Sequence, residues 1–509
     1  MNRRHFLELG TMSAALASSA SAASFQSGAQ PSGSAGYAER DITPKIGMEQ
    51  PGGYSKVYHK SLHDPCKVRA AVFQDGGTRV ALVGLDALII PRSIVVGARK
   101  EIEQRCGIPG NAVMVGASHS HSSGPVGMVQ PGEYDHASSL AKKLAYEHSS
   151  AADAGYLEQV QAEIVNAVCQ AEKSRRASRT GFGTGKEEKA AYNRRFRMKN
   201  GLTYTHPGKG NPDIVETAGP IDPEVAAIGT FDEKGKLIGC VVNYACHATT
   251  NPGGISANWI HYMENAIRGA FNPDAVVVFL QGFCGDVTQV DNLSPYANPP
   301  GEEWARFVGG RVGAEAVKVL LSAEPGSLGP VAVRTKLLQI PRRKPNPDRL
   351  KKCIEMVQRD PKEAGMTDWV FAKEIVMLDA LIAKEAQVDV EIQAIQVGPA
   401  VFVSAPGEMF CQLGLDIKAG SKFPITCPVE LANGCVGYIP TEEALGKHGG
   451  GYETRLTAYS NLIPSAGTQM VNAGVELTKQ LTPGKFPEPA KAPPFKEPWS
   501  YGNVPPELS

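Results

Sequence analysis

The chain has 509 residues, 42% of them hydrophobic and 20% charged, and its 52 basic and 52 acidic residues cancel to a formal net charge of zero. That composition excludes a disordered chain and is long enough to bury a large core. It offers no basic stripe for nucleic acid, and no apolar run beyond the N-terminus reaches the roughly 18 residues of a membrane span.

In chain order, Asn2-Arg3-Arg4-His5-Phe6-Leu7 opens a twin-arginine pattern, followed by a weakly apolar Ala/Ser-rich stretch from Thr11 to Ser24 with Ala20-Ser21-Ala22 as a small-x-small cleavage pattern. Residues 1–24 therefore read as an export signal, which implies a periplasmic or secreted protein. Residues 25–36 read as a linker and the Pro-rich residues 483–509 as a surface tail. Ten dispersed cysteines contain no CxxC, which argues against a zinc-ribbon site and leaves any disulfide pairing undetermined.

Between these ends, short β-branched runs alternate with amphipathic helical stretches, predicting an α/β or mixed α+β fold with a central mixed sheet flanked by helices. Helices are expected over 156–173 and 304–321, and a helical pair over 349–364 and 368–386. Five near-continuous apolar runs each deliver a titratable residue at the C-terminal end: Val80–Leu85 to Asp86, 112–118 to His119, 239–246 to His247, 275–280 through Gln281-Gly-Phe-Cys-Gly to Asp286, and 400–407 to Glu408. Strands of this kind are covered on both faces, and ligands bind outside their carboxyl ends.

The sharpest local signal is Ser118-His119-Ser120-His121-Ser122-Ser123-Gly124-Pro125. On an extended strand, His119 and His121 project to the same face. Two imidazoles buried side by side need a metal or an anion. His247, in Asn243-Tyr-Ala-Cys-His, is the best distant partner; His261 is a spare that sits in an amphipathic stretch. Imidazole with carboxylate suits zinc. Asp86 and Asp286 are candidates for orienting the histidine ligands, or equally for capping helices.

Taken in order, Asp41-Ile-Thr-Pro, His119-Ser-His-Ser-Ser-Gly-Pro, Tyr192-Asn-Arg-Arg, Ile221-Asp-Pro-Glu-Val, Asn243-Tyr-Ala-Cys-His-Ala-Thr, Gly285-Asp-Val-Thr, Pro406-Gly-Glu and Gly437-Tyr-Ile-Pro-Thr-Glu-Glu resemble the catalytic domain of the neutral, non-lysosomal ceramidases. The resemblance implies one catalytic domain over 37–482. It also implies a Zn2+ held by His119, His247, Glu408 and Tyr438, with His121, Tyr452, Arg194 and Thr288 acting on the substrate. The implied reaction is hydrolysis of an N-acyl amide in a lipid-like or small-molecule substrate by metal-activated water. Thr288 stands where the family has a serine, and the 29 residues after position 480 are expected not to contain the family's C-terminal immunoglobulin-like domain. Two other readings stay open: an exported metal-dependent hydrolase of an ester or glycoside, and a non-catalytic metal-binding protein.

Overall fold

The five apolar runs become strands because each is rich in β-branched residues and can bury both faces. Val113–Ala117, Val276–Gln281 and Ala400–Ser404 are buried along their whole length. The structure, a computed structural model, describes residues 33–509. The export pattern at 1–24 lies outside the described residues.

The α/β character holds, but in place of one central sheet there are three larger mixed sheets. The first runs Val113–Ala117, Thr78–Leu85, Lys67–Asp75, Gly33–Asp41, Arg176–Ala177. The second runs Val276–Gln281, Leu237–Tyr244, Glu224–Phe231, Arg179–Lys186. The third runs Val331–Pro341, Gln387–Val397, Ala400–Ser404, Ile425–Val429. Strand propensity is local, whereas pairing joins residues far apart in sequence, so periodicity counts strands without partitioning them among sheets.

Each sheet is antiparallel except for one parallel pair at its edge: Thr78–Leu85 with Val113–Ala117, Leu237–Tyr244 with Val276–Gln281, and Ala400–Ser404 with Ile425–Val429. A parallel pair requires a crossover. Here the crossovers carry the helices Arg92–Cys106, Trp259–Ala270 and Cys411–Gly420. The three edges meet. Gly116 lies between Val429 and Leu280, where an added Cβ would come within 3.4 and 3.5 Å of them. Ala117 N donates to Leu431 O at 3.1 Å, and Glu430 N to Gln281 O at 3.0 Å. All three parallel pairs therefore end at one place.

Helix Ala154–Lys173 packs Tyr156, Leu157, Val160, Ile164, Val165 and Val168 into the core that contains the first sheet. Helix Gly301–Ser322 covers the 304–321 stretch. The expected helical pair is present as Pro347–Met356, a short turn of helix Pro361–Ala364, and Met366–Lys384. Gly33–Asp41 begins inside the segment 25–36 read as a linker, because Ala35 and Gly36 are buried as strand residues despite their small, turn-like composition. Residues 490–509 belong to a separate unit; they are exposed and include a Trp499–Tyr501 ring contact at 5.2 Å. No helix among the described residues is long and apolar enough to cross a membrane.

Asp86 does not orient a histidine. Its Oδ2 accepts from Lys67 N and from Arg69 Nη1, both at 2.8 Å. Arg69 also binds Glu264, on the crossover helix of the second sheet, so a buried Asp–Arg–Glu triad ties the first two sheets together. Replacing Arg69 by Met leaves the buried Asp86 carboxylate without its cation, while Glu264 keeps Lys67 and Arg268. Chemical denaturation is expected to show a loss of about 3–5 kcal/mol. A loss below about 1 kcal/mol would mean the triad is solvated as an ordinary surface pair.

Candidate metal centre and pocket

The strand Val113–Ala117 ends when Ser118 N donates to Leu85 O at 2.9 Å. His119 then adopts a left-handed backbone, φ 60°. That conformation is uncommon for a residue with a Cβ and gathers at functional sites. His119 and His121 therefore do not share a face of an extended strand, as the two-residue spacing predicted. They converge because the chain turns at His119 and His121 N is caught by Ala248 O at 3.1 Å. Their Nε2 atoms lie 3.1 Å apart.

His247 follows the strand Leu237–Tyr244, and Trp259 Nε1 donates to its carbonyl at 3.0 Å. Glu408 and Tyr438 are paired in a two-residue parallel ladder, and Tyr438 N donates to Tyr459 O at 2.9 Å. Glu408 Oε2 lies 3.2 Å from His119 Nε2 and 3.3 Å from His247 Nε2.

Both histidines have their other nitrogen committed. His119 Nδ1 meets Leu88 O at 2.9 Å, and His247 Nδ1 meets Cys284 O at 2.8 Å and Val287 O at 3.0 Å. Carbonyls only accept, so Nδ1 carries the hydrogen and Nε2 presents a lone pair. Glu408 Oε2 is buried and receives no hydrogen bond. Two imidazole lone pairs thus face a carboxylate oxygen, an arrangement that repels unless a cation lies between them. The spacings also fit, since tetrahedral bonds of about 2.0–2.1 Å place neighbouring ligand atoms about 3.3 Å apart. His119, His121 and His247 form the one group of three such side chains, among the described residues, whose ligand atoms all lie within 4.8 Å of one another. This donor set suits a metal ion.

Electrostatics agree with that geometry. Burial, followed by the Arg194 charge, lowers His247 to about 3. Burial, with His119 and His247 beside it, holds His121 well below its ordinary value. Burial alone would raise the Glu408 carboxyl, but positive charge on the His119 and His247 side, where a cation would sit, holds it well below the usual carboxylate range.

Arg194 is buried behind the centre. Its Nη1 lies 3.2 Å from His247 Nε2, Nη2 donates to Gly285 O at 2.7 Å and to Tyr438 OH at 3.2 Å, and Nε binds Glu453 at 2.8 Å. The Tyr452 hydroxyl is 3.2 Å from that of Tyr438, and burial pushes its phenol up to about 12. Above the centre lies a cavity of about 230 Å³ walled by Tyr54, Leu88, Met128, Phe371, Tyr452 and Tyr459. Arg455 stacks on Phe371, 3.4 Å from the ring centroid, and fixes that wall.

Three candidates fall outside the centre. Thr288 is buried, hydrogen-bonds Gln289 at 3.1 Å, and does not line the cavity. Asp286 orients no imidazole: it accepts from Cys411 N at 2.8 Å, at the start of the helix after Glu408, and from Asn193 Nδ2 at 2.9 Å. His261 sits on helix Trp259–Ala270 beside Asn265 and Asp64. Sequence reasoning expected carboxylates behind the histidines, and the structure uses backbone carbonyls, which carry no side-chain signature. It also missed Glu453, which is fully buried against Arg194 and Thr205, and Gly52.

No family model matches the chain. A neutral ceramidase of Pseudomonas aeruginosa is 24% identical over 332 residues, covering 60% of this chain and 45% of the relative, so the match spans less than half of that protein's length. A ceramidase solved in complex with C2 superposes with a TM-score of 0.65 at 18% identity, covering 90% of this chain and 78% of that one. The neutral ceramidase crystal structure from Pseudomonas aeruginosa gives a TM-score of 0.63 at 19% identity, over 90% and 77%.

Gly52, with φ 105°, packs so closely that an added Cβ would lie 2.3 Å from His121 Nδ1. Gly52→Ala is therefore expected to displace the His121 ring and strain the backbone by about 1–3 kcal/mol. Metal content should persist while turnover falls tenfold or more, on the order of 1.4 kcal/mol of barrier. Unchanged turnover would show that the His121 position is not critical.

Proposed function

We propose that this chain, which has the neutral ceramidase fold and resembles those enzymes in sequence, is a zinc-dependent hydrolase of N-acyl amides. The observation that carries this reading is the buried Glu408 oxygen facing two imidazole lone pairs at the floor of an apolar, aromatic cavity. His119, His247, Glu408 and Tyr438 would hold the ion. A bound Zn2+ supplies a water that ionises near pH 7 instead of about 15.7 and polarises the carbonyl.

The remaining steps belong to the chain's own residues. Leu88 O, Cys284 O and Val287 O hold the two imidazoles in the tautomer that leaves Nε2 free. His121 at the cavity floor and Tyr452 on its wall donate toward the oxygen that gains charge as the amide carbonyl becomes tetrahedral. His121 is placed to return a proton to the departing amine, which leaves poorly without one. Arg194, locked by Glu453, holds the Tyr438 hydroxyl in line from behind. Tyr54, Leu88, Met128 and Phe371 shield the site from water and receive the acyl portion of a lipid-like substrate. Export to the periplasm or beyond remains part of the proposal and rests on the N-terminal pattern alone.

His119→Ala is expected to abolish stoichiometric zinc binding and amide hydrolysis together. Tyr452→Phe is expected to retain zinc while turnover falls about 10²–10³-fold, the usual cost of one oxyanion donor. Metal analysis and a panel of N-acyl amides, esters and glycosides read both. Purified protein without zinc and indifferent to chelators would sink the metal assignment, and cleavage confined to esters or glycosides would sink the amide.

A further inference from the structure

Glu430 is a fully buried carboxylate that the proposed reaction does not use. It follows the edge strand Ile425–Val429 of the third sheet. One oxygen, Oε2, accepts from Cys284 N at 2.9 Å and from Met409 N at 3.0 Å, and the other receives the Cys284 thiol at 3.0 Å. Each amide leads directly to the centre. Cys284 O is the acceptor that fixes His247 Nδ1 at 2.8 Å, and Met409 follows Glu408 in the chain. Gly285 N, next in line, donates to Met409 O at 2.7 Å, so the same two segments are also bonded to each other.

We infer that Glu430 is a positioning residue: by holding Cys284 N and Met409 N on one oxygen, it sets the distance between the His247 and Glu408 ligand atoms. The inference rests on the metal-hydrolase reading above. What the task demands is reach, since a single acceptor oxygen must meet two N–H groups from different segments. A glutamine keeps that oxygen at the same length. An aspartate keeps the carboxyl group but draws the oxygen back by one methylene, about 1.5 Å.

Zinc affinity of the full chain, measured by competition with a chromophoric chelator, separates these. Glu430→Gln is expected to bind zinc within about threefold of wild type, while Glu430→Asp and Glu430→Leu weaken it about 10–100-fold, as loss of a ligand's supporting contact does. Two buried N–H groups lose their acceptor, so zinc-stripped Glu430→Asp is also expected to melt lower; the positioning role is read from zinc affinity well below that melting temperature, which a merely structural residue would leave unchanged. If Glu430→Leu does not fold, Glu430→Asp carries the test. Wild-type affinity in Glu430→Asp overturns the inference. Wild-type binding no tighter than that of His119→Ala overturns the metal reading itself.

A second, independent observation concerns two thiols. Cys106 ends helix Arg92–Cys106 and Cys169 lies on helix Ala154–Lys173. Both are half-buried, and their Sγ atoms are 3.0 Å apart, inside the ordinary contact distance of two sulfurs. We propose that they close to a disulfide by exchange with a small-molecule or protein disulfide. One thiolate attacks the oxidant to give a mixed disulfide, and the second displaces it. Two S–H bonds are lost, one S–S bond forms, and the oxidant leaves as two thiols.

Burial pushes the Cys106 thiol up to about 12, so exchange should quicken as pH rises above neutral. Incubation of the full chain with oxidised glutathione, followed by non-reducing peptide mapping, is expected to join the Cys106 and Cys169 peptides and to remove two of the ten thiols. Cys169→Ser should lose that cross-link. Recovery of Cys106 only as free thiol or glutathione adduct in wild type would overturn the assignment.

Discussion

A carboxylate oxygen with no hydrogen-bond donor, set between two imidazole lone pairs, is the constraint around which this molecule is organised. Left uncompensated, such a group costs several kcal/mol in a buried setting. Everything nearby serves to keep the arrangement from relaxing. Backbone carbonyls pin the imidazoles, His119 is held in a left-handed conformation, and Glu408 and Tyr438 are fixed to each other by ladder hydrogen bonds. A site that forbids the easy alternatives is one that a cation would complete.

The fold makes that concentration achievable. Three edge pairs of parallel strands, each closed by its own crossover helix, end at a single point. His119 follows the edge strand of the first sheet, His247 follows the strand beside the edge in the second, and Glu408 does the same in the third. Because these three side chains come from three different sheets, their spacing depends on how the sheets pack. Contacts between the edges, such as Gly116 against Val429 and Leu280, are therefore as much a part of the site as its side chains. The Arg69 triad serves the same end away from the pocket by joining the first sheet to the crossover helix of the second.

Polar and apolar work is divided between floor and walls. The floor carries His119, His121, Glu408 and the Tyr438 hydroxyl, while Tyr54, Leu88, Met128 and Phe371 wall the cavity. Arg194 and Glu453, both buried, lie behind the floor and do not line the cavity.

By itself the sequence determined that five apolar runs are strands, and that His119, His247 and Glu408 stand just past the ends of three of them. Continuous β-branched runs and the abrupt change to a titratable residue are local properties. The Tyr438 and Tyr452 assignments needed the ordered motifs of a family, because a tyrosine after a glycine has no local mark of a ligand. Only the tertiary structure decided that the five runs are shared among three larger sheets, that His119 turns rather than extends, that Asp86 serves Arg69 and Asp286 a helix start, and that carbonyls orient the imidazoles. Those outcomes depend on contacts between residues tens to hundreds of positions apart, and on main-chain atoms that every residue shares. No pattern of side chains along the chain encodes them.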